Sequence, residues 1–359
     1  MTAVSNMVSI AVARAAPILV CAVLMGAWNA TPAGRTARAP TLLVRVVDAA
    51  SRDPIPNAQV TDLDSAVQHL TNDRGESRFE WSGRSVMRLR VRQLGYRLAE
   101  RVVRAGVGVS DTAVVALARV PFVLPEQRAV AIDRCDLRTD SATQELSLYA
   151  LSQLRLAAEH YEQFRRTYPF IMQAERRTIV FSRHENVPAR ATVAKERMRS
   201  SDWGDRYEPG NVLHRERLGF SASLLFVASL ADSAFWDRHC LVARAVEQRE
   251  GQPWLRLDFA PARDLRTPDW AGSAWLDSAT SVLRRVEFRL TGLATDDSPR
   301  RLEGYTTFSA PSPFITIPDS SVAYWWRSTP ATETDWGRPD VLQLIRVTEI
   351  DYSGARPPR

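Results

Sequence analysis

Cysteine is scarce, with three in 359 residues, a density that excludes a small scaffold held together by many disulfides. Lysine is nearly missing: of 47 basic residues only Lys195 is lysine, and the arginines are interleaved with 41 acidic residues. The net charge of +6 is therefore spread along the chain, which argues against the clustered basic footprint of a nucleic-acid-binding protein. There are five histidines, and none has a glutamate three positions on, so the His-x-x-Glu pair of a zinc peptidase is absent. The sequence has neither a Gly-x-Ser-x-Gly elbow nor a glycine-rich phosphate loop. No cofactor is expected from these motifs. No apolar run reaches the roughly 20 residues of a spanning helix. What is present is ordinary for a folded chain: 45% hydrophobic and 25% charged residues. The length suggests about two domains.

The N-terminus predicts export. After Arg14, the segment Ala15–Trp28 is apolar and has the length of a signal-peptide core. Thr31-Pro32-Ala33 places small side chains for cleavage before Gly34, so residues 1–33 are read as a signal and the mature protein as having no spanning segment. An uncleaved anchor is the alternative. Cys21 falls inside the apolar core, leaving Cys135 and Cys240 for the exported protein. In an oxidising compartment these two predict one disulfide closing a long loop. The rival readings are free thiols, or a Cys240 nucleophile served by His239.

Residues 41–119 read as a β-sandwich. Leu42–Asp48 is a β-branched run that stops at the turn chemistry of Ser51–Asn57. Ala58–Thr61 alternates, Thr71–Gly75 turns, and Phe79 and Trp81 resume the period of two. In Met87-Arg88-Leu89-Arg90-Val91-Arg92 every second residue is arginine, so one face is apolar and the other charged. Gly95-Tyr96 turns the chain, and two further strands include Val102-Val103 and Thr112–Leu117. About seven short strands without a helical period predict an antiparallel sandwich. The row Arg88, Arg90, Arg92 is either a ridge for anionic ligands or a solvated outer face.

In that order, Val46-Val47-Asp48, Asp53–Val60, Thr71–Gly75 with Phe79, and Leu89–Tyr96 resemble the successive landmarks of the carboxypeptidase regulatory-like domain, a transthyretin-like sandwich. The resemblance implies an accessory module without catalysis or a zinc site, of a kind found in exported bacterial proteins. Asn57 stands where that family often has glycine.

A proline-containing connector, residues 120–140, leads to a second domain, 141–359. Leu148, Leu151, Leu154, Ala158 and Tyr161 recur at spacings of three and four, with Ala150, Ala157 and Phe164 flanking. This predicts a long amphipathic helix ended by Tyr168-Pro169. The rest is β-rich: Thr178–Phe181, Trp254–Phe259, Ser273–Leu290, Tyr305–Phe308, Ala323–Trp326 and Val341–Val347, with one short helix at Ser229–Trp236. Eight of ten tryptophans lie from Trp203 onward. The expected architecture is a curved antiparallel sheet or open barrel with one long helix. The hairpin Trp275–Leu290 resembles the strand pairs of outer-membrane lipoprotein carrier folds, which implies a half-barrel for acyl chains. The whole layout resembles bacterial envelope proteins.

Three functions follow as expectations for a protein of the periplasm or outer membrane. The first is a non-catalytic binding or structural module for an envelope protein, glycan or lipid. The second is a carrier of a lipid or other hydrophobic ligand, which needs Trp254, Trp275, Phe288 and Trp325 to line a common cavity. The third is a peptide or glycan hydrolase; Asp202, Asp205 and Glu208 around Trp203 and Tyr207 are either the carboxylates of a glycosidase or part of a surface loop bracketed by Gly204 and Gly210.

Overall fold

The computed structural model describes residues 41–81, 84–104, 112–120, 141–182, 188–201, 207–216, 219–222, 225, 227–262, 265, 267–293, 299–327, 337–354 and 356–358. The segment 1–33 read as a signal, nearly all of the connector, Cys21 and Cys135 lie outside the described residues.

Seven strands form two facing sheets. They are β1 (Thr41–Asp48), β2 (Gln59–Asp62), β3 (Gln68–Leu70), β4 (Glu76–Glu80), β5 (Val86–Arg92), β6 (Ala99–Arg104) and β7 (Thr112–Leu117). The sheet orders are β4-β1-β7 and β3-β2-β5-β6. Leu42, Val44 and Val46 meet Met87, Leu89 and Val91 between them, each contributing about 1.5–3 kcal/mol by leaving water. The sandwich is not wholly antiparallel, as the sequence pattern suggested. β1 pairs with β7 in parallel, because the chain crosses from one sheet to the other between β6 and β7 instead of returning through a hairpin. Gly75 takes φ +70° in its turn, and a Cβ there would overlap the Val46 carbonyl.

Helix α1 (Ser141–Thr167) follows. Its buried stripe is Ala150, Leu154, Ala157, Tyr161 and Phe164. Leu148, expected on that stripe, is 61% exposed. The apolar positions allowed more than one stripe, and packing chose the one carrying alanines, which let the helix approach closely.

The main body is a nine-stranded, wholly antiparallel sheet ordered β12-β13-β14-β15-β16-β17-β18-β8-β9. Its strands are β8 (Phe170–Phe181), β9 (Pro188–Arg199), β12 (His239–Arg249), β13 (Gln252–Pro261), β14 (Asp269–Asp277), β15 (Leu283–Thr291), β16 (Arg301–Ser309), β17 (Ile317–Trp326) and β18 (Val341–Tyr352). A small hairpin, β10 (Leu213–Glu216) with β11 (Gly219–Ala222), precedes two short helices, α2 (Val227–Ala231) and α3 (Ser233–Arg238). The single short helix expected here is split at Asp232, whose extended backbone and side chain cap α3 through the Ala234 amide at 2.9 Å. The β14–β15 turn forms as its residues dictate, with Asp277 Oδ1 accepting from the Ala279 and Thr280 amides.

The sandwich and the large sheet belong to one compact unit. Leu94 enters the core shared by α1 and the sheet, the Gly95 amide donates to Gln153 Oε1 at 2.9 Å, and Arg92 pairs with Glu159 of α1. On the other side Asn57 Nδ2 donates to Ser312 Oγ and to the Pro313 carbonyl, each at 2.8 Å. Asn57 also holds φ +55°. Asn57→Ala is expected to destabilise the protein by about 2–3 kcal/mol, through lost buried bonds and a left-handed alanine. Asn57→Gly should lose the bonds alone and unfold at a higher temperature than Asn57→Ala. Equal melting temperatures for the two variants would refute the backbone contribution.

Candidate polar groove on the large sheet

Side chains alternate across a strand, so the sheet has two unlike faces. One carries Leu255, Leu257, Val286, Phe288, Leu290 and Leu302, packed in a core that also contains residues of α1, α2 and α3. The other carries charge and aromatic rings and opens as a groove of about 1350 Å³. Its floor is built from register rows. Asp258, Ser273, Glu287 and Tyr305 lie side by side across β13 to β16, and Arg289, Glu303 and Tyr324 form the next row across β15 to β17.

The charges on this face are cross-linked. Asp258 accepts from Arg244 at 3.1 Å, Arg256 at 2.7 Å and Ser273 at 2.6 Å. Glu287 is shared by Arg249 and Arg285, each at 3.0 Å. Arg285 also lies over the Tyr305 ring, 3.8 Å from its centroid. Burial pushes the Tyr324 phenol above its ordinary pKa, so it stays a neutral hydroxyl. The surface presents hydroxyls, guanidinium edges and half-buried rings, which suits hydrogen bonding to a polar ligand.

The four residues expected to line one cavity are divided between the two faces. Phe288 and Trp325 pack on the helix-covered side. Trp275 is fully buried on the other side beneath Arg249, whose guanidinium lies 3.6 Å from the ring centroid. Trp254 is buried on that face, one register row beyond Trp275. The structure does not bring the four together: the period of two was legible in each strand, but which parity met the helices was not.

The arginine row of the sandwich is also committed. Arg88 pairs with Asp64 at 2.6 Å, Arg90 with Glu100 at 2.8 Å, and Arg92 with Gln59 and Glu159. It is a row of paired charges that ends in the contact with α1, not a ridge of free cations.

His239 and Cys240 project to opposite faces of β12, which separates the imidazole from the sulfur. Cys240 borders the groove and is disulfide-bonded; its predicted partner, Cys135, lies outside the described residues. His239 is buried, stacked on Phe235 at 3.8 Å. Its Nδ1 lies 2.8 Å from the Phe235 carbonyl and its Nε2 2.9 Å from that of Trp270. Burial drives the imidazole below its ordinary pKa, opposed by the charge of Asp269 at 3.6 Å and by the two carbonyls. Asp269 in turn accepts from the Tyr207 hydroxyl. This buried chain pins α3 to β14. Asp269→Asn is expected to cost about 2 kcal/mol, read as a lower urea midpoint; an unchanged midpoint would show that the chain contributes nothing.

Of the carboxylate cluster proposed for hydrolysis, Asp202 and Asp205 lie outside the described residues, as does Trp203. Tyr207 is buried with Asp269, and Glu208 accepts from Asn211 Nδ2 at 2.7 Å. Among the described residues no three His, Cys, Asp or Glu side chains converge as a metal ion would need, and no helix is long and apolar enough to cross a membrane.

No protein-family model matches the chain, the regulatory-like family included, and no curated protein matches it. A solved structure of a protein of unknown function from Bacteroides fragilis NCTC 9343 aligns over 86% of this chain and 97% of that one, at 10% identity. Its TM-score of 0.17 is too low to carry an argument about fold or function.

Proposed function

We propose that this chain is an exported, non-catalytic binding protein of the cell envelope. In this reading the sandwich, carboxypeptidase regulatory-like in its motif order, is the structural bracket, and the polar face of the large sheet meets the ligand. The observation that carries the proposal is the groove: a large open cavity whose floor is a fixed lattice of ion pairs and tyrosines. Export is supported by the signal-like segment 1–33 and by a disulfide at Cys240, a bond that persists in oxidising compartments.

Two features weigh against the alternatives. The apolar side of the sheet is filled by helices, and the open side is charged, so an acyl chain laid there would strip water from ion pairs without replacing it. Among the described residues each floor carboxylate, Asp258, Glu287 and Glu303, is engaged by arginine, so these three offer no free pair for glycan hydrolysis.

The test is to express the full chain in a bacterial host, fractionate the cells, and incubate the recovered protein with a digest of envelope polysaccharide. The expected result is recovery outside the cytoplasm and a non-covalent adduct in native mass spectrometry whose ligand is released unshortened. Cytoplasmic retention would overturn export. Cleavage products that scale with the amount of protein would overturn the non-catalytic reading.

A further inference from the structure

Among the described residues of the groove, one arginine is uncommitted. Asp258, Glu287 and Glu303 are each held by arginine. Arg289 faces Glu303 across β15 and β16, but Glu303 turns to Arg301 on its own strand, with Nε at 2.9 Å. Arg289 is exposed at the groove, and among the described residues it makes no ion pair. Its guanidinium therefore offers a fork of donors to a ligand carboxylate or phosphate.

The rest of the site defines the body of that ligand. Tyr305 and Tyr324 stand half-buried on adjacent strands and offer ring surface and hydroxyls. Ser273, Thr267 and Thr291 add hydroxyls along the same wall. A hydroxyl-rich ligand can exchange hydrogen bonds with such a floor, whereas an apolar one cannot. The volume of about 1350 Å³ exceeds the roughly 300–1000 Å³ typical of small-molecule sites, which leaves room for a ligand of several units.

Resting on the binding-protein reading above, we infer that the groove takes an acidic oligosaccharide, with its carboxylate or phosphate on Arg289 and its sugar units along Tyr305 and Tyr324.

Calorimetry on the full chain tests this with three probes: an oligogalacturonate, a phosphorylated mannan fragment and neutral maltohexaose. At least one acidic probe should bind ten times more tightly than the neutral one, and the tighter of the two identifies the anion. Arg289→Gln should weaken that probe at least tenfold and Arg289→Lys much less, while Arg90→Gln on the sandwich leaves it unchanged. Equal affinity for acidic and neutral probes, indifference to Arg289→Gln, or no binding in any arm would overturn the inference. Binding lost in Arg90→Gln instead would move the site to the sandwich: the groove assignment fails and the binding-protein reading stands. A shortened probe recovered after incubation would overturn the non-catalytic reading itself, whatever the affinities.

Discussion

Alanine at Gly272 or Gly304 is expected to destabilise the protein by at least about 4 kcal/mol, among the largest effects of a single substitution. The reason lies in one register row. Phe259, Gly272, Phe288, Gly304 and Ala323 stand side by side across β13 to β17. Aromatic rings lean over the glycines: a Cβ at Gly272 would sit 3.0 Å from the Phe259 ring, and one at Gly304 the same distance from Phe288. Each added Cβ would also overlap a backbone oxygen, that of Glu287 at Gly272 and that of Val322 at Gly304. A side chain can swing away, but a strand carbonyl cannot move without breaking its ladder. Gly354 has nothing within 4 Å of its Cβ position, so Gly354→Ala should unfold at the wild-type urea concentration. If Gly272→Ala matches Gly354→Ala, the row does not hold the strands as described.

Lowering the pH from 7.5 to 4 is expected to remove about 3 kcal/mol of stability through a single residue, His160. This histidine of α1 is fully buried, and among the described residues neither ring nitrogen has a hydrogen-bond partner. Burial, with a smaller push from Arg92, lowers its pKa from 6.5 to about 3. The folded state thus holds the neutral ring, while the unfolded chain takes up a proton near pH 6.5. Stability from this site is full above pH 6.5 and is lost as the pH falls towards 3. His160→Leu removes both the orphaned nitrogens and the titration. The variant should be more stable than wild type at pH 7.5, by about 1–3 kcal/mol, and the gap should widen by about 3 kcal/mol at pH 4. Urea unfolding at both pH values measures this, and a gap that does not widen would show that His160 is not the acid-sensitive group.

How much of this was legible in the sequence depended on how each strand is buried. In β5 one face is core and one is water, so Met87, Leu89 and Val91 alternate with arginine and identify the strand on sight. β9 escaped because most of its residues are exposed, leaving no apolar pattern to find. β14 is buried along nearly all its length, so the neighbours Trp275 and Leu276 are equally apolar and equally hidden. There the pattern does not say which parity faces the helices, so it gives no sign that Trp275 and Phe288 lie on two faces. Arg289 carried no signal of its own. Its availability depends on Glu303 choosing Arg301, a choice of geometry, not of spacing.

By itself the sequence determined the β-rich class, most of the short strands of residues 41–119, the long helix and the tight turns, because each rests on interactions within a few residues. Only the tertiary structure decided the pairing of β18 with β8, in which Val341 meets Val180, the parallel entry of β7, and the helix stripe that is buried. It also decided which face of the sheet became a groove. These depend on contacts between residues far apart in the chain, whose loop-closure cost is repaid only when the whole core assembles, so no local pattern encodes them.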